Sequence, residues 1–200
     1  MEMAEKKPRK HESSGLTQER ILAAIDDLFY SQGSRAVGVE AVAKHAGTNK
    51  MALYRQFSSK DALLMAYLKH REDAYWERFN ESLAKHPDNP IRQLQQIFED
   101  FSIRASAEGY RGCPFVNIAI EYPDIKHQAR QAVARNKQLL HAKLKAIATQ
   151  ANVNNPDGLA NSLALLFEGA CAASQTYDRG MGLMQALPTV YKSIIDGHTK

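Results

Sequence analysis

Helical periodicity extends over almost the whole chain, and this feature most limits what the chain can fold into. Apolar residues recur at spacings of three and four in successive segments, which is the pattern of amphipathic helices. No segment shows the convincing alternation of apolar and polar residues that marks a half-buried strand. The sequence therefore predicts an all-α protein with about nine helices.

Capping residues, glycine and proline separate these helices from one another. Asn89 and Asn155 are each followed by proline, and a capping side chain before a proline is typical of the start of a helix. Asp124 is expected to cap another long helix. The last helix is expected at roughly residues 183–196; the alternative is a later start at Pro188, because the residue before a proline avoids the helical conformation.

The composition is that of a globular chain with a small basic excess. Of the 200 residues, 44% are hydrophobic and 24% are charged, and the net charge is +4. These values permit an acidic partner such as nucleic acid without demanding one. Much of the excess lies in a polar arm, residues 1–15, which we expect to be disordered. The arm is either a solubilising tail or a minor-groove contact; its basic residues are Lys6, Lys7, Arg9 and Lys10.

Motifs for catalysis and for metal binding do not occur in the sequence. There is no HExxH, paired CxxC, glycine-rich phosphate loop or serine elbow, so we predict that the protein is not an enzyme and has no metal or cofactor. Its apolar runs are too short to cross a membrane. The two cysteines and the polar N-terminus, which is unlike a secretory leader, predict a cytoplasmic protein with reduced thiols.

Two short helical segments joined by a glycine occupy residues 39–57. Gly47 can adopt the positive φ that a tight turn between helices requires, and the small Ala43 lets the two helices approach closely. Leu53 and Phe57 are expected to anchor the second of these segments to the core. The arrangement predicts a helix-turn-helix.

The opposite side of that second segment is polar, and its side chains suit base edges and phosphates. Lys60 lies where the helix dipole slightly disfavours a cation, so a phosphate partner would account for it. Tyr54 either contacts a phosphate or packs inward, and a solvated surface helix is the alternative for the whole face. The predicted DNA-binding residues are Thr48, Asn49, Lys50, Ala52, Tyr54, Arg55, Gln56 and Lys60.

The stretch TQERILAAIDDLFYSQGSRAVGVEAVAKHAGTNKMALYRQFSSKDALL, residues 17–64, resembles the DNA-binding domain of the tetracycline-repressor (TetR) family. Its last part, LYRQFSSKDALL, is the most specific, and GCPFVN (112–117) is similar to a segment in one subgroup of the family's regulatory domains. Gly38, where a threonine is common, and Gln56, where a histidine is common, depart from the family pattern. These departures leave the operator sequence open.

This resemblance implies a homodimeric transcriptional regulator, usually a repressor, that a small molecule releases from DNA. The implied layout is a three-helix DNA-binding domain at residues 16–62 and an effector-binding and dimerisation domain at residues 63–200. A transcriptional activator of the same fold, or a helical protein-interaction module, is the alternative. An intact LYRQF and Lys60 argue against the interaction module.

Two C-terminal helices, at about 156–179 and 183–196, are the expected dimer interface. The first contains GACAAS (169–174), whose small residues permit close helix approach, and two helices from each protomer would form a four-helix interface. The alternative is that both helices only close the core of a monomer.

Residues 90–151 are expected to enclose the effector, because apolar walls with a few polar groups suit a small amphipathic molecule. Each candidate is otherwise an ordinary core or surface residue. Cys113 is either an inert buried thiol or a sensor whose pKa nearby positive charge lowers, and Glu168 binds a ligand amine or lies at the dimer interface. The effector candidates are Phe98, Phe101, Tyr110, Cys113, Phe115, Asn117, Glu121 and Phe167.

Overall fold

In the computed structural model, which describes residues 14–199, nine α-helices account for most of the chain. They are α1 (Ser14–Gln32), α2 (Val39–His45), α3 (Lys50–Gln56), α4 (Lys60–Ala84), α5 (Pro90–Ser106), α6 (Pro114–Glu121), α7 (Gln128–Gln150), α8 (Pro156–Thr176) and α9 (Leu183–His198), with a 3-10 helix at Arg179–Met181. Residues 14–199 contain no strand, so the all-α prediction is confirmed. The predicted arm lies outside the described residues except for residues 14 and 15, which belong to α1.

The chain divides into two compact units, and the boundary falls between Tyr67 and Leu68, inside α4. The predicted boundary between residues 62 and 63 lies between one and two turns earlier in the same helix. None of the described helices is long and apolar enough to cross a membrane.

The first unit packs α1 against α2 and α3. Ile21, Ile25 and Leu53 are completely buried at its centre, and the rings of Phe29 and Tyr67 meet edge to face with centroids 5.6 Å apart. Side chains of α3 therefore reach the same core as those of α1, which fixes how α3 is rotated about its axis.

Gly47 forms the turn between α2 and α3. Its φ is +60°, and a Cβ at this position would collide with Nη2 of Arg20. The same guanidinium donates a hydrogen bond of 2.8 Å to the Gly47 carbonyl. A residue with a side chain would be strained in its backbone and would also displace Arg20, so glycine is required here for two reasons.

The second unit packs α7 against α8 and α6, and α9 against α5 and α8. Asn89 caps α5 by accepting from the Arg92 N–H at 3.0 Å, and Asn155 caps α8 by accepting from the Gly158 N–H at 2.9 Å. Both helices start with proline at the first position, as the sequence predicts.

The prediction for the start of α7 is wrong by one turn. Asp124 accepts from the Lys126 N–H at 2.9 Å in a turn that precedes the helix. His127 is the residue that caps α7, since its Nδ1 accepts from the Ala129 N–H at 3.2 Å. Ile125 is consequently 74% exposed.

The predicted last helix at roughly 183–196 is confirmed, since α9 spans Leu183–His198; Pro188 lies inside this helix and does not move its start. A proline has no N–H, so the carbonyl four residues earlier, that of Met184, loses its helical partner. The hydroxyl of Ser102 in α5 donates to that carbonyl at 2.7 Å. A neighbouring helix thus satisfies the group that the proline leaves unpaired.

Candidate DNA-binding helix and regulatory cavities

The N-terminus and one side of α3 are fixed by the rest of the first unit. The side chain of Asn49 caps the helix, accepting from the Ala52 N–H at 2.9 Å. Leu53 is completely buried, and Phe57, at the C-cap, is 7% exposed. The predicted anchors therefore hold α3 to the core at both turns.

The opposite face of α3 is exposed. Met51 is 80% exposed and Tyr54 is 42% exposed, and Lys50 and Arg55 are exposed as well. Residues 50 and 54, and residues 51 and 55, are four positions apart, so the four side chains lie on one face of the helix. The Tyr54 ring therefore does not pack inward.

Ala52 does not belong to this face, contrary to its predicted position. It is only 9% exposed and lies beside the completely buried Leu53. Successive residues of a helix are separated by about 100°, so anchoring Leu53 carries Ala52 inward and turns Met51 outward. Thr48 and Gln56 are half-buried at the edges of the face.

Lys50 is paired with α2. Its Nζ lies 2.5 Å from Oε1 of Glu40 and 6.0 Å from the centre of the Tyr54 ring. The hydrogen bond from Lys50 lowers the pKa of Glu40, and the same bond raises the pKa of Lys50. Lys50 is therefore cationic and is already paired with the Glu40 carboxylate.

Lys60 lies at the first turn of α4, which Ser59 caps by accepting from the Ala62 N–H at 3.0 Å. Its Nζ donates to the backbone carbonyl of Arg35 at 3.1 Å. The ammonium is thus held between the segment before α2 and the start of α4, close to where free N–H groups of the helix favour an anion.

Most of the predicted effector residues form core rather than a pocket wall. Phe101 and Phe167 pack with ring centroids 4.4 Å apart, and Phe98 lies 6.2 Å from Phe167. Tyr110 adds its ring 6.4 Å from that of Phe101. Phe115 is 2% exposed, so these aromatic side chains fill space instead of surrounding it.

The other predicted effector residues are dispersed. Asn117 is half-buried, and its Nδ2 donates to the backbone carbonyl of Arg111 at 3.0 Å. Glu121 is half-buried at the end of α6, and Cys113, the N-cap residue of α6, is 5% exposed. The cation in contact with Cys113 is Lys137, whose Nζ lies 3.4 Å from the sulfur. The two residues are far apart in the sequence, so the sequence does not reveal this contact.

A cavity of about 730 Å³ opens between α6, α7 and α8. None of the eight predicted effector residues lines it. Its walls are mainly apolar, and three charged residues, Arg130, Lys137 and Glu168, line it as well. The partner of Glu168 is Lys137 of the same chain, at 2.5 Å. The apolar residues on its wall include Val116, Ala119, Ile120, Val133, Leu140 and Leu165.

A second opening, of about 560 Å³, lies on the surface formed by α8 and α9. Leu165 is 74% exposed and Val190 is 43% exposed at this surface. Gly169 and Ala173, from the GACAAS run, line it. We call this apolar region the α8–α9 surface.

Two family models match the chain. The model described as bacterial regulatory proteins of the tetR family matches residues 21–67. The model described as a tetracyclin repressor-like C-terminal domain matches residues 90–190, which is half of the chain. A helix-turn-helix followed by a helical second unit is thus the architecture of a DNA-binding transcriptional regulator. The chain belongs to the TetR family of these regulators.

Relatives that are named as transcriptional regulators agree with this assignment. The transcriptional activator FasR of Mycolicibacterium smegmatis is 31% identical over 115 residues, which cover 56% of this chain and 52% of FasR. The chain thus matches about half the length of that relative. A structure from Streptomyces avermitilis (sav143), described as a tetR-transcriptional regulator, is 32% identical with a TM-score of 0.76, covering 91% of this chain and 97% of that one.

A further solved structure shows how closely the fold is shared. SCO4454, a TetR-family transcriptional regulator of Streptomyces coelicolor, has a TM-score of 0.88 and covers 93% of this chain and 97% of its own. The sequence identity is 23%, so this likeness concerns the fold alone.

Proposed function

We propose that this protein is a sequence-specific repressor that inserts α3 into the major groove of operator DNA. The observation that supports the proposal most is the exposed face of α3 opposite the buried Leu53. A major groove about 12 Å wide accepts one helix, and side-chain donors and acceptors read the base edges there. Residues 16–62 would form the DNA-binding domain, and residues 63–200 the effector-binding and dimerisation domain.

Two kinds of contact are assigned to the predicted DNA-binding residues. Met51 replaces Ala52 on the proposed groove-facing side and offers an apolar contact to thymine methyl groups. Tyr54, Lys50 and Lys60 would contact phosphates. The remaining members, Thr48, Asn49, Arg55 and Gln56, lie at the turn or on the flanks of the same helix.

Two-fold pairing would double the length of DNA that is read, with recognition helices about 34–36 Å apart. The α8–α9 surface supports pairing, because an open apolar region with small residues permits close helix contact between two copies. Leu165→Glu is expected to lower the dimer fraction in sedimentation, while Ile125→Glu, at an equally exposed apolar position before α7, leaves it unchanged.

The effector would enter the cavity of about 730 Å³ between α6, α7 and α8. Its apolar wall and its charged residues suit a small amphipathic molecule. A regulator of this kind acts on DNA rather than on a covalent bond of a substrate, so we assign no enzymatic activity to it. Because its operator would lie on genomic DNA, the protein would act in the cytoplasm.

DNA fragments from the genome of origin, selected by the purified protein, would supply the operator for mobility-shift assays. Tyr54→Ala and Lys60→Ala should weaken operator binding without loss of helical content. Loss of one phosphate contact should also reduce the slope of log affinity against log salt by about 1.

Lys50→Ala and Lys192→Ala form a matched pair, because each lysine makes one surface ion pair. Lys50 pairs with Glu40 at 2.5 Å, and Lys192 pairs with Asp196 at 2.6 Å. Only Lys50→Ala should weaken binding. Equal operator affinity for the Tyr54, Lys50 and Lys60 variants and the wild type would refute the assignment of α3.

Activation is the second candidate function, and the similarity to FasR, which is named an activator, favours it. Transcription in vitro from the selected promoter distinguishes the two candidates. A repressor lowers the transcript level when it is added, whereas an activator raises it.

A further inference from the structure

The two cysteines of the chain lie against each other in the second unit. Cys113 is the N-cap residue of α6, and Cys171 belongs to α8. They are 5% and 1% exposed, and both are free thiols. Gly112, next to Cys113, lies against the carbonyl of Cys171, and each thiol shifts the pKa of the other. We call these two residues the thiol pair.

Gly112 allows this approach. Its φ is +73°, and a Cβ built on it would lie 3.3 Å from the Cys171 carbonyl oxygen and still closer to the side chain of Gln175. Only a residue without a side chain brings the backbone before Cys113 so near to α8.

Lys137 of α7 joins the thiol pair to the cavity between α6, α7 and α8. Its Nζ lies 3.4 Å from the Cys113 sulfur and 2.5 Å from Oε1 of Glu168. Lys137 and Glu168 both line the cavity of about 730 Å³. Lys137 therefore contacts both the cavity and the Cys113 sulfur.

The surroundings give the two thiols different properties. The hydrogen bond from Cys171 and the charge of Lys137 lower the pKa of Cys113, against the opposing effect of burial. The same hydrogen bond and burial raise the pKa of Cys171. Tyr75 of α4, Tyr110, Lys137 and Glu168 are the titratable groups near the pair. Cys113 is thus the better nucleophile, and Cys171 remains a protonated thiol beside it.

We propose that the thiol pair is an oxidation site at which a hydroperoxide closes a disulfide between Cys113 and Cys171. The Cys113 thiolate attacks the peroxide O–O bond and becomes a sulfenic acid, and the leaving oxygen takes a proton from the Lys137 ammonium. Cys171 then returns a proton to Lys137 and attacks the sulfenyl sulfur, forming the S–S bond. Hydroxide leaves and takes its proton from solvent. Two thiols are oxidised by two electrons, and one peroxide is reduced.

The assignment does not depend on DNA binding, and purified full-length protein with hydrogen peroxide tests it. After blocking free thiols and digesting without reductant, mass spectrometry should find the peptides of Cys113 and Cys171 joined, with two hydrogen atoms lost, in monomeric and reducible form. In Cys171→Ser, a dimedone adduct should form at Cys113. In Cys113→Ser, Cys171 should give no adduct.

Variants of Lys137 test the rate of disulfide formation. Lys137→Met should slow disulfide formation by about tenfold or more, the effect of one pKa unit on the fraction of thiolate. Lys137→Arg should retain most of the rate. Glu168→Gln, which removes the competing carboxylate, should speed the reaction at low pH.

Three results would overturn the proposal. They are disulfides formed only between separate chains, sulfinic acid at Cys113 without any link to Cys171, and equal oxidation rates for wild type and Lys137→Met. If a variant does not fold, the wild-type protein still decides through the pH profile of thiol alkylation. Cys113 should react at lower pH than an ordinary thiol, and alkylation of both cysteines at the same pH would contradict the assigned roles.

Discussion

The contact between Ser102 and the helical turn before Pro188 can be tested without knowing any ligand. In α9, the proline leaves the Met184 carbonyl without its helical donor, and Ser102 of α5, itself 8% exposed, donates to it at 2.7 Å. Ser102→Ala removes this donor. The net value of the hydrogen bond and the cost of an unpaired carbonyl together predict a loss of about 1–2 kcal/mol in the free energy of unfolding.

Pro188→Ala restores an N–H at position 188 that can bond the Met184 carbonyl within the helix. In this background Ser102→Ala should cost less than about 0.5 kcal/mol, so the double-mutant cycle should give a coupling of about 1 kcal/mol. Ser193→Ala is the matched control, because its hydroxyl only bonds the Thr189 carbonyl of its own helix.

Urea unfolding at one fixed protein concentration measures these differences. Tryptophan fluorescence reports on the correct unit, because the single tryptophan, Trp76, belongs to it. If Ser102→Ala lowers stability equally in the wild type and in the Pro188→Ala variant, the hydroxyl does not compensate for the proline and the explanation of α9 fails.

Further predictions concern stability and its dependence on pH. Asn155→Ala should lower the free energy of unfolding by about 1 kcal/mol, while Asn155→Asp retains most of the capping; equal losses would exclude a capping role. Gly47→Ala should lower the free energy of unfolding by about 1–2 kcal/mol because of its positive φ. Adding Arg20→Ala should remove only the collision of the new Cβ with Arg20. Burial raises the pKa of Asp100, but hydrogen bonds from Lys85 and from a serine lower it overall. Its stabilisation is therefore present above the unfolded pKa and lost as pH falls, so Asp100→Asn should flatten the acid side of the stability profile.

Local signals made much of the fold predictable. Asn89 and Asn155 act within three residues of themselves, so their pairing with proline is visible in the sequence. The alternative of a later start at Pro188 does not hold, because the compensation for the proline comes from Ser102, on another helix. No local pattern carries the information that a distant hydroxyl will satisfy a particular carbonyl.

The functional site was also predictable only in part from the sequence. Leu53 and Phe57 correctly predicted the buried side of α3, but a helix of seven residues contains only two turns, and small Ala52 gives no hydrophobic signal for its own orientation. Of the aromatic effector candidates, Phe101 and Phe167 pack against each other, which their sequence positions do not show. Whether such rings surround a space or fill it depends on tertiary packing.

The ion pair between Glu40 and Lys50 has a consequence for how long the protein would stay on non-specific DNA. In the proposed complex with DNA, a phosphate would displace the Glu40 carboxylate from the Lys50 ammonium, so binding would exchange one anion for another. This exchange opposes every duplex equally, whereas only a cognate sequence offers base contacts that offset the opposition. Glu40→Gln should therefore tighten the binding of random DNA and of the operator by similar factors, and the protein would spend longer on non-specific sites.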